Sequence, residues 1–180
     1  VNVQHSSRSD TWQTPDNIIA RVRTVLGTID LDPASSESAN RRIGASAIIT
    51  REQDALNTEW PAGSVYLNPP GGKKANGSMT GLFWARLMNF RDAGQLTHAI
   101  FMAFSVEALA ISQGYGSRSI GTFPLCVPRR RISFVRPDGE VGDAPSHSNC
   151  IVYVPGSLDR TELFAQMFSD LGVIMNRGEV

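Results

Sequence analysis

Val65-Tyr66-Leu67-Asn68-Pro69-Pro70-Gly71-Gly72 reads as a short buried strand running straight into a stiff, polar turn. Val65, Tyr66 and Leu67 are strand-favouring or apolar, and the paired prolines stop the strand. Each proline also pushes the residue before it into extended geometry, so Asn68 and Pro69 keep little backbone freedom. The result is a side-chain amide and a backbone carbonyl held almost immobile at the carboxyl end of a strand. Open α/β sheets bind their ligands at that edge. Asn, Pro and Gly are also the commonest turn formers, so the same four residues suit a plain loop.

The arrangement suits one kind of chemistry. An exocyclic amine on a nucleobase is a poor nucleophile because its lone pair is delocalised into the ring. Two fixed acceptors, the Asn68 side-chain oxygen and the Pro69 carbonyl, can hold its two N–H groups and localise that lone pair. Proline fixes φ and has no N–H to compete for the carbonyl. Acceptors preorganised toward developing charge are an electrostatic form of catalysis. The electrophile that fits is the methyl group of S-adenosylmethionine. Asn68, Pro69 and Pro70 are therefore the catalytic candidates.

The rest of the chain bounds this reading. Its 180 residues fit one domain over 1–180 with a real core, preceded by a loose polar tail at 1–10. No apolar run is long enough to span a membrane, and the first residues, with His5, Arg8 and Asp10, contain no signal-peptide core. Cys126 and Cys150 are far apart and suit buried thiols in a reducing cytosol. The three histidines are scattered, so no metal is expected. With a net charge of zero, any nucleic-acid phosphates must be met by local clusters of cations.

Before the opening stretch, Thr14 can cap a helix with Pro15 at its first position, and Ile18, Ile19, Val22, Val25 and Leu26 give that helix an apolar face ending at Gly27. Trp12 suits a core anchor as well as a ligand contact. Thr28–Leu31 reads as a strand, after which Asp32 as cap and Pro33 at the first position would start a helix to about Arg42. A carboxylate where strand meets helix suits a ribose hydroxyl or the amino group of an amino-acid-bearing cofactor, which makes Asp30 and Asp32 candidates beside plain capping. Residues 45–50 look like another strand, followed by Asp54 and Ala55. An acid there can accept an adenine amino group or remain a solvated loop charge.

After Pro70, residues 71–78 read as a mobile basic loop in which Lys73 and Lys74 can touch phosphates. A helix follows from Leu82 to Phe90, then the apolar run 99–104 of a central parallel strand. Val106–Ile111 suits a helix and Ile120–Phe123 a strand. Residues 128–135 alternate and, with the strand 150–154, resemble an antiparallel hairpin closing a sheet. Alternation would put Arg129 and Arg131 on one face with Arg130 opposite. Arg136 opens the turn, and Thr161–Leu171 forms an amphipathic helix.

Taken in order, W-Q-T-P at 12–15, L-D-P-A at 31–34, D-A-L at 54–56, N-P-P at 68–70 and P-R-R-R-I-S-F at 128–134 resemble the phage-type DNA N-6-adenine methyltransferase family. The likeness spans about Trp12 to Tyr153. It implies an α/β fold: a methyltransferase-type, Rossmann-like doubly wound sheet, mostly parallel with a terminal antiparallel β-hairpin. It further implies S-adenosylmethionine as cofactor, held by Trp12, Gln13, Thr14 and Pro15, by Asp30, Asp32 and Pro33 near the methionine and ribose, and by Asp54 and Ala55 near the adenine. Asn68 and Pro69 would hold the target amine of an adenine flipped out of double-stranded DNA. Lys73, Lys74, Arg129, Arg131 and Arg136 would meet the DNA. The setting implied is the cytoplasm of a bacterial host, with a phage or prophage origin and a role in protection from restriction or in regulation.

One position departs from that pattern. The family usually places Tyr or Phe after N-P-P, where the ring stacks on the flipped base, and here the residue is Gly71. Phe83 or Trp84 would have to substitute. The chain has no room for a large target-recognition domain, so a short or relaxed recognition sequence is expected, read by the 71–80 and 136–149 loops. Two alternatives stay open: an amino methyltransferase acting on RNA, cytosine or a protein glutamine, and a catalytically weak DNA-binding module of the same fold.

Overall fold

The computed structural model describes residues 12–103, 107–136 and 148–176. The tail at 1–10 and most of the loop read at 136–149 lie outside these residues. In chain order the elements are α1 (Asp16–Leu26), β1 (Leu31–Asp32), α2 (Glu37–Ile43), β2 (Ala47–Ile48), β3 (Gly63–Leu67), β4 (Lys73–Lys74), β5 (Gly77–Ser78) and α3 (Met79–Asp92). They continue with β6 (Leu96–Ala103), α4 (Glu107–Ile111), β7 (Leu125–Pro128), β8 (Cys150–Pro155), α5 (Thr161–Phe168) and β9 (Gly172–Met175).

Seven strands form one sheet in the order β2-β1-β3-β6-β8-β7-β9. The first four are mutually parallel, and β8 and β9 run against them. Since β7 is antiparallel to β8, it points the same way as β3. The carboxyl ends of β1, β2, β3, β6 and β7 therefore share one edge of the sheet. This is the doubly wound arrangement that the resemblance implied.

The pleat sorts the core. Val65 and Leu67 of β3, with Ala99 and Phe101 of β6, pack on one face against Trp84 and Leu87 of α3. Tyr66, Ile100 and Met102 point to the other face, against Ile18, Val22 and Val25 of α1 and Phe164 and Phe168 of α5. Both faces are covered, which explains why β3, β6 and β8 read as nearly unbroken apolar runs.

Several local expectations change. Thr14 does not cap α1: Pro15 occupies the cap position and no side chain caps that end, because the Thr14 hydroxyl is bonded to Tyr66. Asp32 does not cap α2 either. Its carboxylate accepts from the Ala34 N–H, and Ser36 caps the helix by accepting from the Ala39 N–H at 3.2 Å. The basic loop forms a small hairpin, Lys73 opposite Ser78 and Lys74 opposite Gly77, closed by the Met79 N–H donating to the Gly72 carbonyl. Ile120–Thr122 is a 3-10 turn.

The terminal hairpin is present but shifted. Its first strand is 125–128, and residues 129–134 leave the sheet, because β8 begins at Cys150 and its ladder runs out just beyond Cys126. Val135 instead bridges to Gln13. The outer edge is β9, which follows the last helix in a stretch the sequence reading assigned to no element.

Cys126 and Cys150 are buried free thiols. His98 is buried between two partners, with Nε2 3.1 Å from the Leu26 carbonyl and Nδ1 3.3 Å from the Tyr153 hydroxyl. The carbonyl can only accept, so Nε2 carries the proton and Nδ1 accepts from Tyr153. Burial holds His98 below its usual value of 6.5, so the ring folds neutral and is protonated more readily when unfolded. Its contribution is complete above pH 6.5 and is lost as pH falls through the folded value, by up to ~1.4 kcal/mol per pH unit. Urea titrations between pH 7 and 5 should show this slope, and His98→Gln should flatten it; an unchanged slope in the variant would refute the assignment.

Among the described residues no helix is long and apolar enough to cross a membrane, and no group of three or more His, Cys, Asp or Glu side chains is placed to hold a metal.

Candidate active site at the carboxyl edge of the sheet

Asn68 leaves β3 at the carboxyl edge, followed by buried Pro69 and half-buried Pro70. Its Nδ2 donates to Thr14 Oγ1 at 3.3 Å, and Thr14 Oγ1 lies 2.6 Å from the Tyr66 hydroxyl. Thr14 is 2% exposed and Tyr66 0%, so this is a buried polar chain linking the start of α1 to β3. The other end of the Asn68 amide, Oδ1, is buried and has no hydrogen-bond partner. An unmatched buried acceptor costs about 1–3 kcal/mol, so a donor arriving there is welcome. An exocyclic amine is such a donor.

Asp32 sits at the same edge, at the end of the neighbouring strand, 2% exposed. Burial raises its carboxyl from 3.8 to about 6, against the opposing pull of the Ala34 N–H bond at 3.1 Å. Such a group favours a cation beside it. The ammonium or sulfonium of S-adenosylmethionine fits that requirement, so the donor set is compatible with the cofactor. Buried Pro33 follows in the same turn. The Tyr66 hydroxyl is held protonated by burial, with the Asp32 charge adding to the effect.

Asp30 does not join Asp32. It lies at the amino end of β1, where its Oδ2 accepts from the Ser64 N–H at 2.7 Å and ties β1 to β3. Gly63 makes this possible: at φ 148° a side chain is strained, and a Cβ would come within 2.6 Å of Asp30 Oδ2. Asp54 has φ 49°, and its carboxylate accepts from the Leu56 N–H and from Asn57 Nδ2 at 2.7 Å. The Asn57 bond, chiefly, lowers its pKa. Ala55 is in the core, and its carbonyl accepts from the Trp60 indole at 2.9 Å.

Gln13 is buried, bridges to Val135 and donates from Nε2 to Ser38 Oγ at 3.3 Å. Trp12 is half-buried with the Arg136 guanidinium 5.7 Å from its ring centroid, a cation–π contact. Pro15 lines a separate cavity of about 550 Å³, which also takes in Asn17, Ser133 and Asp170. Arg129, Arg130 and Arg131 all line it, so the alternation expected for them does not hold once this stretch leaves the sheet. The only acid among its lining residues, Asp170, is paired in two bonds with Arg21, at 2.6 and 2.9 Å. Lys74 reaches to within 3.7 Å of Asp54, which ties the hairpin to the 54–57 turn, while Lys73 is exposed.

Neither proposed stacking residue is near the site surface. Phe83 is 4% exposed, and Trp84, at 1%, is wedged edge-on against Phe101 and Phe123 with its indole donating to the Arg118 carbonyl. Both are core residues, so neither replaces the ring missing at Gly71. Tyr66 and Arg130 are the residues the sequence reading passed over. A hydroxyl on a strand otherwise buried throughout was the available signal for Tyr66, because a buried phenol needs a partner.

A family model described as DNA N-6-adenine-methyltransferase (Dam) matches residues 2–89. The match takes in the motifs at 12–15, 31–34, 54–56 and 68–70 and stops short of 128–134. No curated protein matches the chain.

Proposed function

Residues 2–89 match the DNA N-6-adenine-methyltransferase family, and on that premise we propose that the chain methylates the exocyclic amine of adenine in double-stranded DNA, with the target base flipped out and a short or relaxed recognition sequence. The observation that carries the reading is the buried, unpartnered Asn68 Oδ1 at the carboxyl end of β3.

In this mechanism Asn68 Oδ1 and the Pro69 carbonyl accept the two N–H groups of adenine and turn its lone pair out of the ring. Pro70 stiffens the corner. Bound S-adenosylmethionine supplies an electrophilic methyl group on a sulfonium. Asp32, with Pro33 and Gln13 around it, holds the cationic end, and the 54–55 turn serves the cofactor's adenine. The surplus proton on the amine leaves to water. Arg129, Arg131, Arg136 and Lys73 meet phosphates flanking the flipped base, and Lys74 does so where it is released from Asp54. We assign the whole chain to one catalytic domain acting in the cytoplasm of a bacterial host.

A second reading has one observation behind it. With Gly71 in place of a ring and Phe83 and Trp84 in the core, the flipped base lacks an aromatic platform at this corner, as befits a weak enzyme or a DNA-binding module. Base stacking is worth about 1–3 kcal/mol. A Cβ at Gly71 would meet nothing within 4 Å, and its φ is not left-handed, so a larger residue fits. Gly71→Tyr should tighten binding to duplexes with a mispaired target adenine by about ten- to a hundredfold, read by fluorescence anisotropy. No gain would remove the base from this corner.

The deciding experiment offers labelled cofactor to DNA, RNA and protein and analyses the products by nucleoside and amino-acid chromatography. N6-methyladenine in DNA is expected, with a matching change in digestion by methylation-sensitive nucleases. Label in RNA, in cytosine or in glutamine would reassign the substrate, and no label with intact DNA binding would favour the second reading.

A further inference from the structure

We propose that Thr14 and Tyr66 are positioning residues that select which way the Asn68 amide faces; the proposal rests on the reading of Asn68 as the acceptor of the target amine. A side-chain amide has two nearly isosteric orientations. One presents Oδ1, which accepts the amine's N–H; the other presents an NH2 group, which opposes it donor to donor. Something must choose between them.

The choice lies in how the Thr14 hydroxyl is anchored. Thr14 Oγ1 has one proton and two lone pairs, and it contacts both the Tyr66 hydroxyl, at 2.6 Å, and Asn68 Nδ2, at 3.3 Å. In the shorter contact either oxygen can donate, and it anchors the Thr14 hydroxyl on the buried Tyr66 phenol. A Thr14 lone pair accepts from Nδ2, and Oδ1 is left buried without a partner. Without the Tyr66 oxygen the Thr14 hydroxyl loses that anchor and can turn to donate to the amide oxygen of Asn68 instead. The amide turns, and the site presents the wrong group. Tyr66 suits the task because burial keeps it un-ionised and its ring is fixed in the core between α1 and the sheet.

This gives Thr14 a different role from the cofactor contact that the family likeness implied. Thr14 joins the sequence around 12–15 to the corner at 68–70 through an orientation, and S-adenosylmethionine need not touch it.

The test compares Tyr66→Phe, Thr14→Val and Thr14→Ser with the wild type. Turnover on DNA should fall about tenfold in Tyr66→Phe and in Thr14→Val, with the calorimetric affinity for S-adenosylmethionine changed less than about twofold. Thr14→Ser, which keeps the hydroxyl, should restore most of the turnover. A second readout needs no activity: the side-chain amide signals of Asn68 in 15N-labelled protein, identified by their absence in Asn68→Ala. They should shift in Tyr66→Phe and Thr14→Val and return in Thr14→Ser. Unchanged amide signals in Tyr66→Phe would overturn the proposal, as would cofactor affinity falling in step with turnover. If the wild type methylates nothing, the methyltransferase reading fails, while the amide signals still decide the positioning role.

Discussion

Replacing Asn68 with alanine should lower methyl transfer to adenine at least about a hundredfold while leaving the affinity for S-adenosylmethionine nearly intact. The loss is large because Oδ1 is a fixed acceptor in a water-poor corner, and its interaction with the amine strengthens as that nitrogen gains positive charge. Among the described residues the Asn68 side chain is held by Nδ2 donating to Thr14 alone, so its truncation removes little from the fold. Single-turnover rates with labelled cofactor, beside calorimetry, separate the two quantities. Equal loss of rate and cofactor affinity would place Asn68 against the cofactor and refute its role toward the amine.

Replacing Asp32 with asparagine should act in the opposite sense on stability and on cofactor binding. The rise from 3.8 to about 6 corresponds to ~3 kcal/mol against the ionised carboxylate in its buried place. The sign follows from proton counting. Between pH 3.8 and 6 the folded chain binds the extra proton, so the Asp32 contribution improves as pH falls through that window and is least favourable at neutral pH. Asparagine keeps an oxygen for the Ala34 N–H and carries no charge, so the variant should melt at a higher temperature at pH 7. A cofactor bearing two cationic centres gains from the charge, so the same variant should bind S-adenosylmethionine about ten- to a hundredfold more weakly. In the wild type, affinity should rise with pH up to about 6 and then level, and the variant should lose that dependence. A destabilised Asp32→Asn protein with unaltered affinity would leave Asp32 only the structural task of bonding the Ala34 N–H in the turn after β1.

These two residues show what kind of site information is local. Asn68-Pro69-Pro70 restricts its own backbone through neighbouring prolines, so the stiffness of the corner is written within four residues. Asp32 at a strand end is legible for the same reason. Asp30, two positions earlier, carries the same side chain, yet it binds the Ser64 N–H at the opposite end of the strand. The difference comes from where each carboxylate falls along a two-residue strand and from Gly63 on the next one.

The sequence by itself determined the covered parallel sheet, through the apolar runs of β3, β6 and β8, and the stiff corner at its carboxyl edge, through the prolines that follow β3. Hydrophobic periodicity and proline sterics act between near neighbours, and a linear reading captures them. Only the tertiary structure decided the partners of polar groups. It took the Thr14 hydroxyl from helix capping to Tyr66 and drew three consecutive arginines into one groove where the β8 ladder ends. It also placed Phe83 and Trp84 in the core, beyond reach of any flipped base. Each of those outcomes depends on contacts between residues distant in the chain, and no local rule ranks one distant partner above another.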